Sequence, residues 1–273
     1  MPSSNPAFKG LGGAGNGQQS AAWGQPQYGA PGQYGAPTDP YAAPSPYAAT
    51  GTQYMTMDDV VTKTGLTFLV TVLTAAATWM AVPNDVAIGL LFPAAIAALI
   101  LGLVISFKQI ANPVATLSYA ALQGVVVGAI SEFYAENFGA NIITQAVIGT
   151  FGVFFGMLVV YKTGAIRVTP KLTKWVLAAG IGALVLMVVN LVAAWIGGGD
   201  GLGLRSGGPL AIGFSLLVIG IAAFFLLLDF DMADEAIRRG APAKFAWYIA
   251  FGLLVTVVWL YMEILRLLSY FRE

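Results

Sequence analysis

The sequence predicts an all-α membrane protein, a bundle of about seven transmembrane helices preceded by a disordered polar tail. Three observations carry this. Of the 273 residues 58% are hydrophobic and only 10% charged, whereas a soluble globular domain carries about 25% charged residues. So few charges do not cover a water-facing surface, and lipid is the solvent such a chain suits. Apolar runs, each near the ~20 residues that cross a bilayer core, then follow one another from Gly65 to the C-terminus, separated by short segments rich in Pro, Gly, Lys and Asn. Finally, residues 1–54 are Gly, Pro, Ala, Gln and Tyr with no apolar run.

The tail repeats itself. QYGAP stands at Gln27–Pro31 and Gln33–Pro37, and PYAA at Pro40–Ala43 and Pro46–Ala49. Proline interrupts hydrogen bonding and few large aliphatics are available to bury, so the ordering entropy has nothing to offset it. The segment reads as a solvated tail, or as a Pro/Tyr strip that docks a partner. Lys9 is its single cation, so it is no signal peptide, and the first apolar run is a retained span.

Order is predicted to begin at Thr56-Met57-Asp58-Asp59, where Thr three residues before an acid reads as a helix cap. The domain 55–273 then holds spans at about 65–82, 86–106, 114–134, 141–161, 174–196, 209–229 and 246–269. Pro83-Asn84-Asp85 joins the first two as a tight helical hairpin, and Asn112-Pro113 opens the third. Gly124 and Gly128, and again Gly152 and Gly156, stand four apart, the spacing that lets helices approach closely. Asn190 in the fifth span reads as an interhelical hydrogen bond.

Lys9, Lys63, Lys108, Lys162, Arg167, Lys171, Lys174, Arg238, Arg239 and Lys244 fall on one side, and Arg205, Arg266 and Arg272 on or towards the other. The positive-inside rule therefore predicts a cytoplasmic tail in a multi-pass protein of the cell membrane. Seven spans put the C-terminus outside; a re-entrant segment would return it inside.

With neither Cys nor His in the chain, disulfides, thiolate catalysis, Ser/His/Asp triads and the usual zinc and haem ligands are excluded. No enzyme is predicted, and with a net charge of zero no nucleic-acid partner either. What remains are ionisable groups within the spans, which cost ~3 kcal/mol or more at mid-helix. Asp229 is either the first solvated residue after the sixth span or a cavity-facing group that binds a cation or titrates. Its neighbours Asp231, Asp234 and Glu235 are expected in the cytoplasmic loop, with Asp231 and Lys108 as accessory groups. Glu263 either pairs with Arg266 or Arg272 or faces the bundle interior and holds a proton or cation. Glu132 is an interface residue or a second outer-side acid near Glu263. Carboxylates that share a site resist joint ionisation, and hard cations want oxygen ligands. An intramembrane aspartyl protease would also use two acids, but no GxGD motif is present.

LLDFDMADEAIRRG at Leu227–Gly240, WLYMEILRLLSYF at Trp259–Phe271 and MDDVVTKTG at Met57–Gly65 resemble the Bax inhibitor family of multi-span membrane proteins, in its bacterial Bax-inhibitor-like branch. The likeness covers roughly residues 55–273. It implies a central helix wrapped by six others and a pH-sensitive calcium leak gated by two hydrogen-bonded acids on the last two spans. By motif these are Asp229 and Glu263, with calcium as the transported ion and no cofactor. It equally implies a non-conducting regulator that restrains a membrane protease or cell-death machinery. The sequence departs from the family pattern in carrying Glu as the second acid, a longer stretch between the acids, and no arginine in the second span, where only Lys108 stands at the end. Two antiparallel helices turning near Gly240-Ala241-Pro242 would set Asp229 level with about Leu253, and Glu263 roughly 15 Å further out.

Overall fold

The computed structural model describes residues 53–197 and 201–272. The expected disorder of residues 1–52 lies outside the described residues. Seven helices, each long and apolar enough to cross a membrane, make up the described residues. They are α1 (Met57–Ala81), α2 (Asn84–Lys108), α3 (Pro113–Phe138), α4 (Asn141–Thr163), α5 (Pro170–Gly197), α6 (Pro209–Arg238) and α7 (Ala246–Tyr270), with one 3-10 turn at Ala243–Phe245 before α7.

The helix ends follow from local chemistry. Thr56 caps α1 in a reciprocal box: its hydroxyl accepts from the Asp59 amide, and the Asp59 carboxylate accepts from the Thr56 amide, so two amides the helix leaves open are satisfied. The Asn112 side chain accepts from Val114 at the start of α3, with Pro113 in the first turn, where its missing N–H costs nothing. At the end of α6, Gly240 takes φ +67°. Ala241 then donates back to the Ala236 carbonyl and Gly240 to that of Ile237, a left-handed cap that favours glycine.

α6 runs nine residues past Asp229 to Arg238, so Asp231, Asp234 and Glu235 are helical and not in a loop. Each turn of this extension supports the next, since Arg238 pairs with Asp234 and Arg239 with Glu235. The described residues begin at Gln53, ahead of α1. Met55 donates to the Ala241 carbonyl (2.8 Å) and Ala243 to that of Gln53 (2.7 Å), which fastens the segment before α1 to the α6–α7 turn.

α7 is the most buried of the spans and packs against α1, α3, α4 and α6. It is the central helix. The tight hairpin expected of α1 and α2 does not form: α3 packs along both of them. The reason lies in α3, where a Cβ at Gly124 would come within 2.6 Å of the Thr71 carbonyl oxygen, and one at Gly128 within 2.5 Å of that of Ala75. Only hydrogen fits there, and the backbones of α1 and α3 close on each other. Thr71 adds a hydrogen bond to the Ala120 carbonyl across the same seam. Gly152 and Gly156, at the same spacing, have nothing within 4 Å of an added Cβ, so this pair does not mark a helix contact.

α5 touches the bundle mainly through α6 and is otherwise apolar and exposed. Trp175 and Trp195 are 76% and 87% exposed near its two ends. Twenty residues of helix separate them by about 30 Å, the thickness of a hydrocarbon core edged by aromatic belts. The chain is an integral, multi-pass membrane protein.

Candidate functional site

Asp229 lies inside α6, partly buried, with nine residues of helix between it and the Arg238 end. Its Oδ2 accepts a 2.6 Å hydrogen bond from the Thr256 hydroxyl of α7. A Cβ on Gly252, one turn before Thr256, would stand 3.7 Å from its Oδ1. The short cap at Gly240 sets α6 and α7 antiparallel and brings these residues level. Together with Ser106 of α2 they line a cavity of about 200 Å³. A carboxylate and three hydroxyl-bearing side chains, Ser106, Tyr248 and Thr256, thus line one pocket, and oxygen donors are what a hard cation takes.

Glu263 is 2% exposed. Its Oε1 accepts from the Ser215 hydroxyl of α6 at 2.8 Å and its Oε2 from Arg266, one turn on, at 2.7 Å. Of the partners expected for it, Arg266 is the one it takes. Arg272 turns away to the Phe138 carbonyl and the Gln145 side chain.

The two acids implied as a hydrogen-bonded pair are not joined. Thr256 and Glu263 are seven residues apart on α7 and Asp229 and Ser215 fourteen on α6, about 10 and 21 Å of helix. Val218, Ala222 and Leu226 of α6 and Leu260 of α7, all fully buried, fill the interval. At the level of Asp229, the position opposite is a threonine.

Glu132 is buried near the C-terminal end of α3, with one carboxylate oxygen unpartnered among the described residues. Its charged neighbour is Glu136 of its own helix, and no hydrogen bond or ion pair links it to Glu263. Asp231 stands beside Tyr161, whose hydroxyl donates to Asp234. Lys108 is exposed at the end of α2 and does not line the Asp229 cavity. Asn190 accepts from the Leu202 amide at 2.9 Å, so it braces the loop after its own helix and makes no bond to another span. Among the described residues, no three acidic side chains converge into a metal-binding group.

Thr256, Ser215, Gly252 and Ser106 did not stand out in the sequence. Small hydroxyl residues are common in membrane helices because they satisfy themselves on the preceding turn, as Thr256 also does toward Gly252. The available signal was their register: Thr256 lies three positions from the residue that antiparallel counting sets opposite Asp229.

The family model described as Bax inhibitor 1 like matches residues 5–273. The chain belongs to this family. The match runs through nearly the whole length, the tail included, and so further than the 55–273 carried by the motifs. No curated protein matches the chain. Among the family's expected features, a central helix and the seven-span bundle are present in the fold, and the central helix is α7.

Proposed function

We propose that the protein is a pH-sensitive leak pathway for cations, calcium among them, with Asp229 as the acid that captures the ion. The observation that carries this reading is the Asp229 cavity: a membrane-embedded carboxylate, held only by a neutral hydroxyl, opens onto a pocket with further oxygen donors. A carboxylate without a fixed counter-charge in a span is a functional group by default. The ionised form attracts the cation and the protonated form does not, so flux falls as pH falls through the titration of the carboxyl. The apolar packing at Val218, Ala222, Leu226 and Leu260 separates this cavity from Glu263 and acts as the closed gate. Glu263, already neutralised by Arg266, serves as a structural anchor of the outer end. Catalysis has no part in this reading.

The orientation follows from the Lys and Arg distribution. Lys63, Lys108, Lys162, Arg238 and Lys244 lie at the end that carries the α1 start and the α6–α7 turn. That end is cytoplasmic by the positive-inside rule, which leaves the C-terminus outside and the protein in the cell membrane.

The test is calcium flux into proteoliposomes between about pH 5 and about pH 8, a range that brackets perturbed carboxyl groups. Wild type, Asp229→Asn and Glu263→Gln are compared. Flux that depends on pH and is lost in Asp229→Asn supports the leak. Equal flux in every variant and in empty vesicles refutes it.

A second reading has its own support. The segment Gln53–Met55 is hydrogen-bonded to the α6–α7 turn, and the Lys63 ammonium donates to the Ala243 carbonyl in the same turn. Gln53, the first described residue, is thus held beside the helix pair that carries Asp229. A regulator whose tail docks a membrane protease or another membrane protein would use this attachment. Deletion of residues 1–52 separates the two: a leak keeps its flux, and a tail-dependent regulator loses its partner.

A further inference from the structure

We infer that the outer end of the bundle holds a site for an anionic phospholipid, its headgroup phosphate on Arg205 and Arg266 and an acyl chain in the adjoining apolar groove. Two cavities meet there. One, of about 300 Å³ at the rim, is lined by Arg205 of the α5–α6 loop, Arg266 and Tyr270 of α7, and Asn137 at the end of α3. The other, of about 370 Å³, lies one to two turns deeper between α2, α3 and α7, and is lined by Leu91, Ala129, Ile130 and Met262. Phe133, Tyr134 and Arg266 line both, so a basic rim continues into an apolar groove.

Among the described residues that line the rim, two are cations and none is an acid. Glu263 is bound to Arg266 through a single N–H, while a guanidinium has five to give. Arg205 makes no hydrogen bond or salt bridge with any described residue. Burial, reinforced by the nearby Arg266 guanidinium, holds the Arg205 guanidinium below its ordinary value, and Glu263 works the other way. The two guanidiniums repel each other in a partly desolvated place, with Glu263 bound to one of them, and an added anion relieves the repulsion. The Tyr270 hydroxyl supplies a second sign of a missing ligand, since it is buried, belongs to a residue lining this cavity and has no hydrogen-bond partner. Forked N–H groups and a free phenol suit phosphate oxygens. The groove of Leu91, Ile130 and Met262 makes the phosphate that of a lipid and not a free ion, because a soluble anion has no use for it.

The test is native mass spectrometry of the full-length protein released from detergent, with phosphatidylglycerol and phosphatidylcholine of equal chain length offered together. Wild type is expected to retain the anionic lipid several-fold over the zwitterionic one. Arg205→Gln, a loop change that leaves no acid unpaired, is expected to lower that retention about fivefold, the worth of one cation at a lipid surface. Arg205→Lys should recover most of it, and Arg239→Gln, at the opposite end, should leave it unchanged. Equal retention by wild type and Arg205→Gln overturns the site. So does displacement of the lipid by inorganic phosphate at concentrations where glycerol phosphate competes as well, which would make it a free-anion site.

Discussion

The two halves of the α6–α7 pair each bury a carboxylate, and they treat it in opposite ways. Toward the C-terminal end of α7 Glu263 has a guanidinium and a hydroxyl, and is shut from solvent. In the other half Asp229 has a single hydroxyl and a cavity. An acid with a fixed counter-charge contributes geometry; in our reading, an acid with only a neutral partner exchanges a proton or a cation. The same residue class thus serves architecture at one end and, in our reading, conduction at the other. Motif position alone would have assigned both to the gate.

This contrast can be broken most severely at Arg266. Arg266→Ala leaves the buried Glu263 charge uncompensated and should cost about 3 kcal/mol or more, read as a large fall in the thermal midpoint in detergent. Adding Glu263→Gln should recover a good part of that loss. A double variant as unstable as the single one would show that the ion pair does not organise the outer end. Thr256→Val comes next. It removes the one hydrogen bond to Asp229 and should cost about 1 kcal/mol, with a smaller change in flux than loss of the acid itself. Asp229→Asn should have the smallest effect on stability, under about 1 kcal/mol, because the amide oxygen still accepts from Thr256. The same substitution should have the largest effect on calcium flux. If Asp229→Asn proved as destabilising as Arg266→Ala, the two acids would both be structural and the leak would lose its basis.

Legibility in the sequence followed the reach of each physical cause. Caps are local, so Thr56 with Asp59 and Asn112 with Pro113 could be read directly as helix starts, whereas Gly240 was legible as a turn and not as the cap of α6. Gly124 and Gly128 were legible as a close contact because small residues at that spacing have one common use, but the identical spacing at Gly152 and Gly156 marks no contact, since the partner helix decides. The α6 extension through Asp234 and Arg238 was missed because charged residues after an apolar run look like a loop, although their spacing at four residues pairs them along a helix. The Asp229–Thr256 contact was half legible: counting along the two helices gave the level within three residues, but not the face.

The sequence by itself determined that the chain lives in a bilayer, that it holds seven spans, and where α1 and α3 begin. These depend on transfer free energy and hydrogen bonding along the chain, which each segment settles for itself. Only the tertiary structure decided that α7 is central, that α3 lies between α1 and α2, that Glu263 belongs to Arg266 and Ser215, and that Asp229 faces a threonine and a cavity. Helices apolar on nearly every side have no hydrophobic stripe to aim them. Their neighbours are chosen by the fit of small residues and single hydroxyls across the contact, and that fit exists only once both helices are in place.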